Sequence, residues 1–301
     1  MAAPAPANQG GDDDAGTRAC CVAGAIDAGS PTGEVRVLGG VDFYVAASPA
    51  CPRGVAAVLL TDVFGWALPN VRLLADQLAA RGVTTYVPDL HAGDSMRVDA
   101  IPVDPPSSLA QRLGQGLTLL GSLGHIIPWL RRHGDAAALP RLGAALRALK
   151  QEAGVDAVVP CGFCWGGRYA ILLSHRGGAA ATGVPADALP RVAAFVAAHP
   201  SSVAVPGDLT AIAAPGLFLC AESDGMFPRA AVALAVRETA RVGGGGAVRV
   251  FPGTAHGFVV RGGAAIPRVV EARAAAVGAM AEFCAAQLGL RGGAPGGGPA
   301  A

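Results

Sequence analysis

The chain has 301 residues, with 23 lysines and arginines against 22 aspartates and glutamates and a formal net charge of +1. Both signs are interspersed, so no basic face is offered to nucleic acid or to an anionic membrane surface, and neither is expected as a partner. Apolar residues make up 52% of the chain, but Gly, Pro or polar residues interrupt every long stretch, which argues against a membrane-spanning helix.

The first 19 residues are rich in Ala, Pro and Gly and carry Asp12, Asp13 and Asp14. They lack the basic start and apolar core of a secretory leader and read as a disordered tail. Residues 291–301, almost all Gly, Pro and Ala, read the same way. Residues 20–290 are then expected to form a single domain. The 7 cysteines are an odd number spread over a long chain, which favours a reducing, cytoplasmic setting with one reactive thiol among inert ones.

In chain order, Glu34–Leu38 and Val41–Val45 alternate apolar and polar around Gly39-Gly40, the pattern of a β-hairpin at a sheet edge. Short apolar runs follow at Val55–Leu60, Val83–Val87, Val155–Val159, Val192–Ala197, Leu217–Cys220 and Val248–Phe251, as expected of buried parallel strands. Helical periodicity falls between them: Val71, Leu74 and Leu78; Leu142, Leu146 and Leu149; a segment opening after Cys164; then residues 229–240 and 267–288. This alternation predicts an α/β fold, a mostly parallel central sheet with helices on both faces and its ligand site at the carboxyl ends of the strands. Residues 92–140 break the rhythm with Pro102, Pro105 and Pro106 and an amphipathic piece, Leu117–Leu130. They are read as a lid-like insertion, with a plain insertion loop as the alternative.

Gly162-Phe-Cys164-Trp-Gly166-Gly167 runs from an apolar strand into a helix, the pattern of a nucleophile elbow with Cys in place of Ser. Small residues two before and two after the nucleophile are needed because a side chain there would meet adjoining backbone. The turn sets Cys164 at a helix N-terminus, which favours thiolate, and aims the Trp165 amide at a developing oxyanion. Cys161, inside the strand, reads as core. In such a fold the acid and the histidine follow the nucleophile in that order. Asp224, after the strand ending near Cys220, and His256, after the strand ending near Phe251, meet that requirement. Glu222 is the rival acid and lies nearer its strand. Asp62, past the first long strand, is a candidate proton relay or pocket residue, and the neighbouring Val63 amide is a candidate second oxyanion donor. His91 and His199 follow strands and are candidate pocket residues, whereas His125, His133 and His175 read as surface or helix positions. No pair has metal-ligand spacing, so neither a metal nor another cofactor is expected.

With these residues in view, the chain resembles the dienelactone hydrolase, or carboxymethylenebutenolidase, family over about residues 20–290. Asp62-Val-Phe-Gly, Leu68-Pro-Asn70, Pro88-Asp-Leu90, Gly162-Phe-Cys-Trp-Gly-Gly167, Glu222-Ser-Asp224 and Ala255-His-Gly-Phe258 match its signature blocks in order. The resemblance implies an α/β-hydrolase fold, a monomer or weak dimer, and a triad of Cys164, Asp224 and His256 acting on a small ester or lactone. Cys20-Cys21, Ile127-Pro-Trp129-Leu and Ala198-His-Pro-Ser201 are similar to its plant and fungal branch, which adds Trp129 to the candidate substrate contacts. The chain departs from the bacterial pattern at Asp62, where those enzymes carry glutamate, and at Ala92-Gly93-Asp94, where they carry an arginine that grips a carboxylate. Arg261 is the candidate replacement for that grip. Two other readings are a thiol redox protein built on Cys161-x-x-Cys164 and a non-catalytic small-molecule binder of the same fold.

Overall fold

The computed structural model describes residues 27–96, 124–261 and 266–290. The tails at 1–19 and 291–301, the pair Cys20-Cys21 and the stretch 97–123 of the expected insertion lie outside the described residues.

Gly39 and Gly40 have φ of 56° and 76°, the left-handed pair that a tight hairpin turn between right-twisted strands requires. They join β1 (Glu34–Leu38) to β2 (Val41–Ala46) in antiparallel register, Leu38 opposite Val41. Next come β3 (Val55–Leu60), helix α1 (Pro69–Ala80) and β4 (Thr85–Pro88). A helical turn pair at 124–132 leads into α2 (Asp135–Glu152) and β5 (Ala157–Phe163). Then follow α3 (Trp165–Leu173), β6 (Arg191–Val192), β7 (Phe195–Ala198), the short α4 (Gly207–Thr210), β8 (Gly216–Ser223), α5 (Arg229–Val242), β9 (Ala247–Ala255), α6 (Phe258–Arg261) and α7 (Pro267–Gln287).

Among the described residues the strands form one sheet in the order β1-β2-β4-β3-β5-β7-β8-β9, with the two-residue β6 beside β5. All pairings from β4 to β9 are parallel; the two that involve β2 are antiparallel. Alternation along β3 divides the core. Ala57 and Leu59 face a layer formed with Val71, Leu74 and Leu78 of α1 and Val277 and Met280 of α7. Ala56, Val58 and Leu60 face the layer of Leu142, Leu146 and Leu149 of α2, Ile171 of α3 and Ala235 of α5. The inner strands β3, β5, β7 and most of β8 are covered on both sides, which is why they read as continuous apolar runs, whereas the edge strand β1 is exposed.

Two elements differ from expectation. Helix α2 opens at Asp135, inside the stretch read as an insertion to residue 140, because Gly134 caps it and Pro140 is accommodated within it. The apolar run from Val192 to Ala197 is split at Ala193-Ala194 into β6 and β7, each pairing with β5 on its own stretch. No helix among the described residues is long and apolar enough to cross a membrane.

Candidate active site

Because β3, β5, β7, β8 and β9 run parallel side by side, the segments leaving their carboxyl ends share one rim of the sheet. Those segments begin with Cys164, His199, Asp224 and His256, and with Thr61 followed by Asp62. The sequence-predicted residues are therefore gathered by topology before any side chain is considered.

Cys164 sits between β5 and α3 with φ 49° and ψ −112°, a strained conformation for a residue with a Cβ. The strand-to-helix turn is sharp enough that its glycines are sterically required. A Cβ on Gly162 would lie 2.2 Å from the Gly166 carbonyl oxygen, and one on Gly166 would lie 2.1 Å from that of Leu60. The Cys164 N–H donates to the Ala198 carbonyl at 3.1 Å, and its own carbonyl accepts from Gly167 at 3.1 Å and Ser201 at 2.9 Å. Its side chain keeps partial exposure. Among the described residues the amides of Trp165 and Val63 donate to no protein acceptor, whereas the neighbouring Gly166 amide donates to Thr61 at 3.1 Å. Among the described residues, two N–H groups without an acceptor thus remain at this rim, one of them on the residue after Cys164.

Asp224 follows β8 and His256 follows β9. The Asp224 carboxylate faces His256 Nδ1 at 2.9 and 3.1 Å, and one of its oxygens also accepts from the amides of Met226 at 2.8 Å and Phe227 at 3.3 Å. These bonds fix the carboxylate and make Nδ1 the donor, which leaves Nε2 for the thiol. Glu222 is engaged elsewhere, accepting from the Gly253 amide at 2.8 Å. Burial pushes the His256 imidazole toward neutrality, but the Cys164 thiolate and the hydrogen-bonded Asp224 outweigh it and raise its pKa to about 10. Burial likewise opposes the Cys164 thiolate, yet the adjacent His256 brings the thiol below its ordinary value despite the opposing charge of Asp62. Each of the two groups thus favours the charged form of the other.

Asp62 is buried, and burial raises its pKa while Arg261 counteracts. The Asp62 carboxylate accepts from the Phe64 amide at 3.0 Å, and Arg261 Nε lies 3.3 Å from its second oxygen. The guanidinium of Arg261 also lies 4.3 Å above the Phe64 ring. Arg261 thus enters the rim with its charge already matched by Asp62. His199, fully buried, packs edge to face on His256 at 5.1 Å between ring centres. Burial and the nearby His256 hold it well below its ordinary pKa, so it is neutral.

His91 and Trp129 stand one layer back. His91 is buried, its ring centre 4.9 Å from that of Trp165 and 5.0 Å from that of Trp129, and its Nδ1 meets Ser95 Oγ at 3.2 Å. Burial takes its pKa down to about 3. Trp129, 3% exposed, stacks on His133 at 4.3 Å and donates from its indole nitrogen to the Asp94 carbonyl at 2.5 Å. Both therefore support Trp165 from behind, and neither is open to solvent. His133, expected at the surface, is 2% exposed; it is held between Asp94 at 2.9 Å, 39 residues earlier in the chain, and Arg141 at 3.1 Å.

Ser201 was not among the sequence candidates. Its hydroxyl lies 3.5 Å from the Cys164 sulfur, and nothing local marks it, since its position follows from the pairing of β7 with β5. Cys161 faces away from the rim, its sulfur 3.5 Å from that of Cys284 in the core, and burial raises its pKa. Among the described residues no group of three or more His, Cys, Asp or Glu is arranged to hold a metal ion.

A mostly parallel sheet with helices on both faces, an elbow after its central strand, and an acid and a histidine after the later strands define an α/β-hydrolase. The model of the dienelactone hydrolase family matches residues 41–288, and the chain belongs to that family. It is 29% identical over 245 residues to a carboxymethylenebutenolidase homolog of Rattus norvegicus, covering 80% of this chain and 85% of that protein. It is 28% identical over 242 residues to the hydrolase pyvD of Aspergillus violaceofuscus, with the same coverages. Solved structures with the same fold include a putative dienelactone hydrolase from Klebsiella pneumoniae, with a TM-score of 0.55 at 18% identity over 81% of this chain and 92% of that one. The apo form of Thermogutta terrifontis esterase 2 has a TM-score of 0.57 at 17% identity, covering 84% and 95%. The protein is a hydrolase of the dienelactone hydrolase type.

Proposed function

We propose that the chain hydrolyses activated esters or lactones through the thiolate of Cys164, with His256 as acid and base and Asp224 as its orienter. The observation that carries this reading is the line of contacts from Asp224 through His256 to Cys164, ending beside the unpaired amides of Val63 and Trp165.

In the proposed cycle the thiolate attacks the ester carbonyl and the two amides bind the oxyanion. As that intermediate collapses, the imidazolium gives its Nε2 proton to the departing alkoxide, leaving a thioester on Cys164. Neutral His256 then takes a proton from water while the oxygen adds to the thioester carbon. The carboxylic acid leaves, and the thiolate–imidazolium pair is restored. Asp224 keeps Nδ1 protonated throughout.

The chemistry also selects substrate. Thiolate leaves more readily than an alkyl alkoxide or an amine, so unactivated esters and amides return to starting material. Enol esters, aryl esters and strained lactones lose their alkoxide first. Asp62, whose charge is felt at the sulfur, is a pocket residue that can take part in proton exchange with Cys164 in the free enzyme. The names of the carboxymethylenebutenolidase relatives point to the same small, activated acyl compounds. A cytoplasmic setting fits the unpaired cysteines. A thiol redox role is disfavoured because Cys161 is turned into the core toward Cys284 and cannot resolve an adduct on Cys164 without refolding.

The test is a panel of lactones and aryl esters assayed with the unmodified protein and with Cys164→Ala. Turnover of the activated members, lost in the variant, is the expected result; equal turnover by both proteins refutes the proposal.

A further inference from the structure

The loop after β7 is keyed to the elbow more closely than a passing connection needs. Ala198 accepts from the Cys164 amide at 3.1 Å, and the Ser201 amide donates to the Cys164 carbonyl at 2.9 Å, so the nucleophile is held by this loop on both sides of its Cα. Pro200 fills the space that a Cβ on Gly167 would need, at 2.8 Å. Within four residues two non-glycine positions take positive φ, His199 at 37° and Ser202 at 57°, and between them Ser201 is turned inward with 4% exposure. Its hydroxyl lies 3.5 Å from the Cys164 sulfur and has no other side-chain or backbone partner among the described residues. A strained loop that delivers one buried hydroxyl to one sulfur is costly to maintain without a use for it.

We propose that Ser201 is a positioning residue for the nucleophile: its hydroxyl donates to the Cys164 thiolate and, opposite His256, fixes the sulfur in the attacking orientation. This rests on the thiolate reading of Cys164 given above. A thiolate has no proton of its own to donate and accepts from two sides, imidazolium on one and hydroxyl on the other. The other charged or titratable groups around the sulfur are Asp62 and, behind it, Arg261, while His199 beneath His256 is neutral. The Ser201 hydroxyl is also among the causes that bring the thiol below its ordinary pKa.

The test measures iodoacetamide alkylation of Cys164 against pH, read by mass spectrometry of the peptide that carries it, in the unmodified protein and in Ser201→Ala, Ser201→Thr and Ser201→Val. Thr and Val match in shape and differ in the hydroxyl, so that pair isolates the bond even where the Ala variant disturbs packing. The expected result is a midpoint raised by about one pH unit in Ala and Val, hence roughly tenfold slower alkylation below it, with Thr restored. On an aryl ester kcat should fall in Ala and Val while KM stays within about twofold. Midpoints in Ala and Val that coincide with that of the unmodified protein overturn the assignment, whatever happens to kcat. Because alkylation needs no turnover, a shifted midpoint in a protein that cleaves no ester upholds Ser201 and removes the hydrolase reading instead.

Discussion

Gly162→Ala is the most informative change that removes no reacting group. Gly162 lies within β5, so the substitution imposes no forbidden dihedral; its effect is steric alone. The new Cβ would stand 2.2 Å from the Gly166 oxygen, 2.5 Å from the Gly166 carbonyl carbon and 2.7 Å from Gly167 Cα, all backbone atoms of the first turn of α3. Ordinary contact begins about 1.2 Å further out than the shortest of these. No side chain can swing aside, so the helix start must retreat by about 1 Å and take Cys164 and the Trp165 amide with it. Overpacking of this kind costs typically 1–3 kcal/mol, and rigid backbone on the far side places it near ~3 kcal/mol. In a domain of this size that lowers Tm by roughly 6 to 12 °C. A displacement of about 1 Å at the nucleophile costs on the order of a hundredfold in rate. Thermal unfolding and aryl-ester turnover measured together give both quantities. A variant with unchanged Tm and turnover within about twofold would refute the claim that elbow sterics position the thiol.

The proposed thiolate–imidazolium pair sets the expected pH dependence. His256 is raised to about 10 and Cys164 is lowered from its ordinary value. Then kcat/KM rises as Cys164 loses its proton below the usual thiol range, and falls as His256 deprotonates near pH 10. A profile with no falling limb near pH 10 would contradict the pairing. Asp224→Asn retains the shape but favours the wrong imidazole tautomer, and kcat should fall by about 10²- to 10⁴-fold with little change in Tm. Equal loss on Glu222→Gln, with Asp224→Asn active, would reassign the orienter. Asp62→Ala leaves the Arg261 guanidinium buried against Phe64 without its counter-charge, so stability should drop by about 3 kcal/mol. Arg261→Met added to Asp62→Ala should return much of that loss, as read by urea unfolding; additive losses would show that the pair is not coupled.

Much of this arrangement was legible in the chain because it depends on local rules. The Gly39-Gly40 turn, the apolar runs that became β3, β5 and β8, and the glycines around Cys164 each announce a backbone geometry that short-range sterics dictate. Asp224 could be preferred to Glu222 because Asp-Gly suits a loop, and Glu222 does lie within β8. What could not be read depends on which strands become neighbours. The position of Ser201 beside the sulfur follows from β7 pairing with β5, and β7 begins only after the interruption at Ala193-Ala194. His133 looked like a surface residue because one of the partners that bury it, Asp94, lies 39 residues away, and its approach is not written in the local pattern. Trp129 and His91 were recognised as belonging to the site region, but sequence could not show that Trp165 stands between them and the rim.

The central claim is covalent chemistry at a single sulfur. Incubation with a slowly deacylating aryl ester, acid quenching and mass spectrometry of the digest should find the acyl group as a thioester on Cys164 and hydroxylamine should remove it. An acyl group carried by another residue, or full turnover with no adduct at any time, would contradict it.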